Sequence, residues 1–163
     1  METRVAQVRK EIVVEAPPER AFRAFTSGFD KWWPREHHTG KAPLAKAVME
    51  PRVGGRWYEI GTDASECEWG SVLVWDPPRR VVMAWQLNAE WAYDANLVTE
   101  VEVTFTPAGA LQTLVTLEHR NLERFGEKVD TVKAALDSPA GWGGLLGMFA
   151  AAADANIGVE AGV

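Results

Sequence analysis

From Ala45 to His119 the chain alternates short runs of strand-forming residues with tight turn signals, and no other feature constrains its fold as strongly. The runs are Ala45 to Glu50, Arg56 to Ile60 (RWYEI), Cys67 to Trp75, Val81 to Leu87 (VVMAWQL), Thr99 to Phe105 (TEVEVTF) and Leu111 to His119 (LQTLVTLEH). Between them stand Pro51 with Gly54-Gly55, GTDASE, DPPRR, a longer loop through Trp91 and Tyr93, and Pro107-Ala108-Gly109. These are the residue types that turn a chain. Parallel neighbours need crossovers of a dozen or more residues, so connections this short dictate an antiparallel meander. TEVEVTF alternates strictly and predicts Val101, Val103 and Phe105 inward with Glu100, Glu102 and Thr104 in water; the opposite register buries two carboxylates.

Segments of a different period bracket the meander. Val5 to Glu15 reads as a strand ended by Pro17-Pro18. Pro18 suits a first helical position, Phe22 and Phe25 share one face, and Ser27-Gly28 closes that helix. Phe29, Trp32 and Trp33 then follow the i, i+3, i+4 spacing of a short second helix limited by Pro34, with a loop from Arg35 to about Leu44 after it. Beyond the sheet, Glu127 to Leu136 is weakly helical. Ser138 and Pro139 predict an N-cap and first helical residue for a long helix carrying Trp142, Leu145, Leu146, Phe149 and Ala153 on one face. Trp142 and Phe149 are expected against the concave side of the sheet. Gly141, Gly143, Gly144 and Gly147 in that helix each cost about 1 kcal/mol relative to alanine, which points to close approach to the sheet or to room for a ligand. The expected architecture is α+β: one domain over residues 1–163, strand, two small helices, six strands and a long helix, with a curved antiparallel sheet of about seven strands wrapped around that helix.

Composition narrows the function. Seventeen basic against 23 acidic residues, spread along the chain, give a net charge of -6; no nucleic-acid partner is expected, because no basic footprint for phosphates exists. No apolar run approaches the roughly 20 residues of a membrane span, and the N-terminal METRVAQVRKEIVVEA lacks an apolar core of signal-peptide length. Membrane insertion is not expected. The single cysteine, Cys67, excludes an intramolecular disulfide and a Cys-rich zinc site and fits a reducing compartment, so the expected location is cytoplasmic.

The catalytic inventory is sparse. His37 and His38 are adjacent, and their diverging side chains do not meet the spacing of a metal site; the expectation is no metal and no cofactor, with the pair forming a polar loop end in which one imidazole caps a backbone group. His119 falls on the face of Val115 and Leu117 by the period-two rule, at the end of the last strand near a cavity mouth, where it could hydrogen-bond a ligand or act as a general base. Without a fixed partner it is not assigned as catalytic. Glu59 shares a face with Trp57 and Glu118 opposes His119; both are read as solvated sheet residues. Neither a G-x-S-x-G elbow nor a phosphate-binding glycine loop occurs. Eight tryptophans against two tyrosines exceed what a tightly filled core of this size needs, and ligand pockets are apolar with few polar groups. Trp69 and Trp75 share a face, as do Trp85, Val81 and Met83.

The segments VEAPPERAFRAFT (14–26), WW (32–33), EPRVGGRWYE (50–59), WGSVLVWDPPRRVVMAWQ (69–86), TEVEVTFTP (99–107), LVTLEHRNLERFG (114–126) and GWGGLL (141–146) resemble, in order, the SRPBCC superfamily, also called START-like or Bet v 1-like, in its branch similar to the activator of Hsp90 ATPase. That resemblance implies a helix-grip fold. It also implies a small hydrophobic or aromatic ligand in a cavity between the sheet and the C-terminal helix, with stress or secondary metabolism as the setting. The ligand-binding residues expected are Trp32, Trp33, Trp57, Trp69, Trp85, His119, Trp142, Leu146 and Phe149. Two alternatives stand beside binding without chemistry: a cyclase or hydrolase-like enzyme using His119, and an interaction module like the Hsp90 co-chaperone domain. A homodimer and a chaperone partner are left open.

Overall fold

The computed structural model describes residues 7–161, with side chains through Asp154; the start of the first predicted strand, at Val5, lies outside the described residues. Strand β1 (Val8–Val14) leads into helix α1 (Pro18–Phe25) and the single turn α2 (Phe29–Trp32). Strands β2 (Leu44–Met49), β3 (Arg56–Gly61), β4 (Glu66–Asp76), β5 (Arg80–Trp85), β6 (Thr99–Gly109) and β7 (Gln112–Arg120) follow. A 3-10 segment (Leu122–Lys128), α3 (Val129–Asp137) and α4 (Trp142–Ala161) come last among the described residues. All strand pairs are antiparallel in one seven-stranded curved sheet of order β1-β7-β6-β5-β4-β3-β2, so every neighbour within β2 to β7 is also a sequence neighbour and only β1 reaches across the chain. This is the helix-grip fold. Among the described residues, no helix is long and apolar enough to cross a membrane.

The alternation in β6 is realised: Val101, Val103 and Phe105 are buried, while Glu100 and Glu102 sit on the outer face around Arg120, at 2.9 and 2.5 Å. The hairpin after it differs from expectation. β6 continues through Pro107 to Gly109, and the turn is Ala110-Leu111. Pro107 is tolerated inside a strand because β5 begins at Arg80, opposite Thr104, so beyond that point no ladder on that side needs a donor from it. Trp69 and Trp75 of β4 reach the inner side by way of two register shifts, one opposite Trp57/Tyr58 and one between Val72 and Val74. Simple alternation does not carry that strand, since Val72 between them is buried too.

The helical end also needs correction. Ser138 does not open α4: its hydroxyl donates to the Ala135 carbonyl at 2.7 Å and closes α3, and α4 begins at Trp142 after a turn closed by the Gly141 N–H on Ser138 O at 2.8 Å. Close approach explains two of the glycines, but against this turn and not against the sheet. A Cβ on Gly141 would lie 2.2 Å from Leu136 O, and one on Gly144 2.1 Å from Pro139 O. A Cβ on Gly143 would meet the Lys10 stem at 4.0 Å, an ordinary contact, and one on Gly147 would meet nothing within 4 Å among the described residues; nothing in the structure explains either glycine. The core lies between the concave sheet, α1, α2 and the apolar face of α4, where Phe149 packs edge-on to Phe25 and Trp32 at 5.3 and 5.6 Å.

Candidate functional site

The tryptophan pair at the end of α2 divides. Trp32 turns into the core and donates its indole N–H to Ala24 O at 3.1 Å. Trp33 is stacked on Phe29 at 4.9 Å and donates its N–H to the His37 carbonyl at 2.8 Å, which folds the following loop back over the helix. Trp33 meets Trp69 of β4 at 5.3 Å and Trp142 of α4 at 6.4 Å. Trp85 of β5 lies 5.6 Å from Trp142. These rings bound a cavity of about 380 Å³ between the sheet and the N-terminal end of α4, within the usual range for small-molecule sites of about 300–1,000 Å³.

Of the nine residues expected from the sequence, Trp33, Trp69, Trp85 and Trp142 line this space. Trp32, Trp57, Leu146 and Phe149 are core residues beside it or behind it. His119 is not near a mouth: it is fully buried. The Trp142 indole N–H donates to its Nδ1 at 3.0 Å. The ring proton is therefore on Nε2, which donates to Thr99 Oγ1 at 2.8 Å, and the Thr99 hydroxyl donates to Trp85 O at 3.2 Å. Burial pushes the His119 pKa down to about 3. The neutral ring is thus a strut under two wall tryptophans, with its one lone pair taken. The alternation rule located its face correctly but could not reveal the donor arriving from α4.

The rim is polar. His37 and His38 both serve backbone carbonyls, His37 Nε2–H on Ala140 O at 3.1 Å and His38 Nδ1–H on Gly40 O at 2.8 Å; a carbonyl only accepts, so each imidazole carries its proton on that nitrogen. His37 thereby ties the loop after α2 to the turn before α4. Among the described residues, no three His, Cys, Asp or Glu side chains gather as a metal would require.

Glu59 overturns its expected place in solvent, being 1% exposed. Its Oε1 accepts from the Thr39 N–H at 2.6 Å, the Thr39 hydroxyl at 2.9 Å and the Trp69 indole N–H at 2.9 Å, and its Oε2 accepts from the Gly40 N–H at 3.0 Å. One carboxylate thus joins a cavity wall to the cavity rim. A strand glutamate sharing a face with a buried tryptophan was the available signal. Trp91, in the loop between β5 and β6, also lines the cavity and was not anticipated.

The model of the family described as "Activator of Hsp90 ATPase homolog 1-like protein" matches residues 15–154. The chain belongs to this family. Among solved structures, an anthrahydroquino-gamma-pyrone synthase, Txn09, is 39% identical, the match covering 93% of this chain and 99% of that one with a TM-score of 0.64. CalC from Micromonospora echinospora, described as a self-sacrificing resistance protein, is 33% identical over 92% of this chain and 95% of its own, with a TM-score of 0.70. CalU16 from the same organism, at 20% identity over 91% of this chain and 86% of its own with a TM-score of 0.53, is alike in fold alone. No curated protein matches.

Proposed function

We propose that this chain binds a flat, polycyclic aromatic small molecule of polyketide type in the cavity at the head of α4. The observation that carries the reading is the lining itself: five tryptophans, at 33, 69, 85, 91 and 142, around about 380 Å³, with polar side chains at one edge, among them Glu36, His37, His38 and Ser138. An indole offers a large apolar face to an aromatic ring, and a few edge polar groups orient a ligand without adding a large desolvation cost. Support also comes from the two relatives above 30% identity, one a synthase of a fused aromatic pyrone and the other a resistance protein. Native mass spectrometry of freshly purified protein, followed by titration with hydroxyanthraquinones while reading tryptophan fluorescence, tests it. Saturable quenching at micromolar concentration, about -8 kcal/mol, is expected; absence of saturation with every flat aromatic refutes it.

The 39% identity to a synthase favours a second reading, in which the bound molecule is also cyclised. His119 does not serve that reading, since both its nitrogens are engaged in the core. Incubating the protein with hydroxyaryl ketones carrying an unclosed side chain, and following ring closure by chromatography, separates binding from turnover.

A further inference from the structure

Trp91 occupies a backbone position that its side chain disfavours. The Trp91 N–H closes a turn on Asn88 O at 2.9 Å, and the Asn88 N–H bonds Ala92 O at 2.8 Å. This is the pattern of a three-residue hairpin loop whose last residue is left-handed and is ordinarily glycine. Trp91 takes that place with φ 63°, where a bulky side chain is a genuine outlier. The surroundings hold it there. The Asn88 side chain accepts from the Glu90 and Ala92 N–H groups at 2.9 and 3.0 Å, Leu87 bridges Tyr93, and Glu90 pairs with Lys128 at 3.0 Å.

The strain yields little packing. Trp91 is 40% exposed, and its one aromatic neighbour among the described residues is Trp85, edge-on at 6.4 Å. Trp33, by contrast, meets Phe29, Trp32, Trp69 and Trp142. A strained residue that contributes little to the core and borders a cavity is placed for what enters the cavity.

We propose that Trp91 is a specificity-determining residue of the site: its indole, held at the mouth by a strained turn, covers a flat aromatic ligand and selects planar over puckered ring systems. The proposal rests on the ligand class argued above and adds the residue that enforces it. A saturated ring system of equal ring count presents axial hydrogens to the indole face and loses ring-on-ring contact.

The test compares wild type, W91G and W91F with two probes, dihydroxyanthraquinone and a perhydroanthracene alcohol, by isothermal calorimetry, alongside thermal unfolding. W91G suits the turn, so its Tm should stay within about 3 °C of wild type while affinity for the anthraquinone falls at least about tenfold and affinity for the saturated probe changes about threefold or less. W91F keeps a ring and should keep the planar preference. A large loss of Tm in W91G makes Trp91 a structural residue and overturns the proposal, as does equal weakening of both probes or unchanged anthraquinone affinity. Wild type that binds neither probe defeats the ligand class as well; wild type that binds with an unchanged W91G defeats the role of Trp91 alone.

Discussion

Replacing Glu59 with Gln asks whether one buried carboxylate holds the cavity rim to the sheet. The amide oxygen of E59Q can keep the three donors now on Oε1, from Thr39 N–H, Thr39 Oγ1 and Trp69 Nε1. The amide NH2 then faces the Gly40 N–H, at the place where Oε2 now accepts at 3.0 Å, donor against donor. A buried donor left unpaired costs about 1–3 kcal/mol, and bonds to a charged acceptor weaken from about 1.5–3 to about 0.5–1.5 kcal/mol when the acceptor is neutral. Removing the charge returns part of its desolvation cost. The balance is a net loss of about 2–3 kcal/mol, which lowers Tm by about 5–10 °C in a domain of this size. Thermal unfolding followed by circular dichroism measures it, and amide exchange at Thr39 and Gly40 locates it. E59Q melting within about 1 °C of wild type, with both amides still protected, would refute the idea that this carboxylate anchors the rim.

Other consequences concern single positions. His119 has a pKa lowered to about 3 by burial, against about 6.5 unfolded, so the unfolded chain takes up a proton that the folded one refuses between those values. Its contribution is complete above pH 6.5 and is lost as pH falls toward 3, by up to about 1.4 kcal/mol per unit; unfolding curves of wild type and H119Q that run parallel from pH 6 to 4 would contradict this. Trp142→Ala removes a fully buried ring and the donor to His119, and should destabilise by about 3–5 kcal/mol in denaturant titration; a loss under about 1 kcal/mol would place the ring outside the core. Gly147 lies within α4, where a Cβ would meet nothing within 4 Å among the described residues, so G147A should stabilise by about 1 kcal/mol, and a destabilised G147A would show that the open space there is used.

What could be read in the sequence was what periodicity encodes. Strict alternation in β6, punctuation by proline and glycine, and the spacing of Trp142, Leu145, Leu146 and Phe149 identified the sheet and the face of α4 that covers it. What escaped depended on partners distant in sequence or on backbone chosen against propensity. Glu59 looked solvated because no local pattern shows Thr39 and Gly40 bringing their N–H groups to it. His119 looked available because its donor, Trp142, arrives 23 residues later. The sequence places Trp91 in a loop and not in the site, because a left-handed tryptophan contradicts the preference by which such turns are recognised. Ser138 showed a start signal and is used as a stop, because α3 reaches Asp137 and needs its last carbonyls satisfied.

The most direct test of the cavity as a binding site is the indole region of a nitrogen-15 correlation spectrum during titration with dihydroxyanthraquinone. The chain carries eight tryptophans, and each indole N–H reports separately. The signals of Trp33, Trp69, Trp85, Trp91 and Trp142, which line the cavity, should shift saturably, while those of Trp32, Trp57 and Trp75, which do not line it, should stay nearly fixed. Shifts spread evenly over all eight, or confined to Trp75 and its surroundings at the far end of β4, would contradict a ligand site at the head of α4.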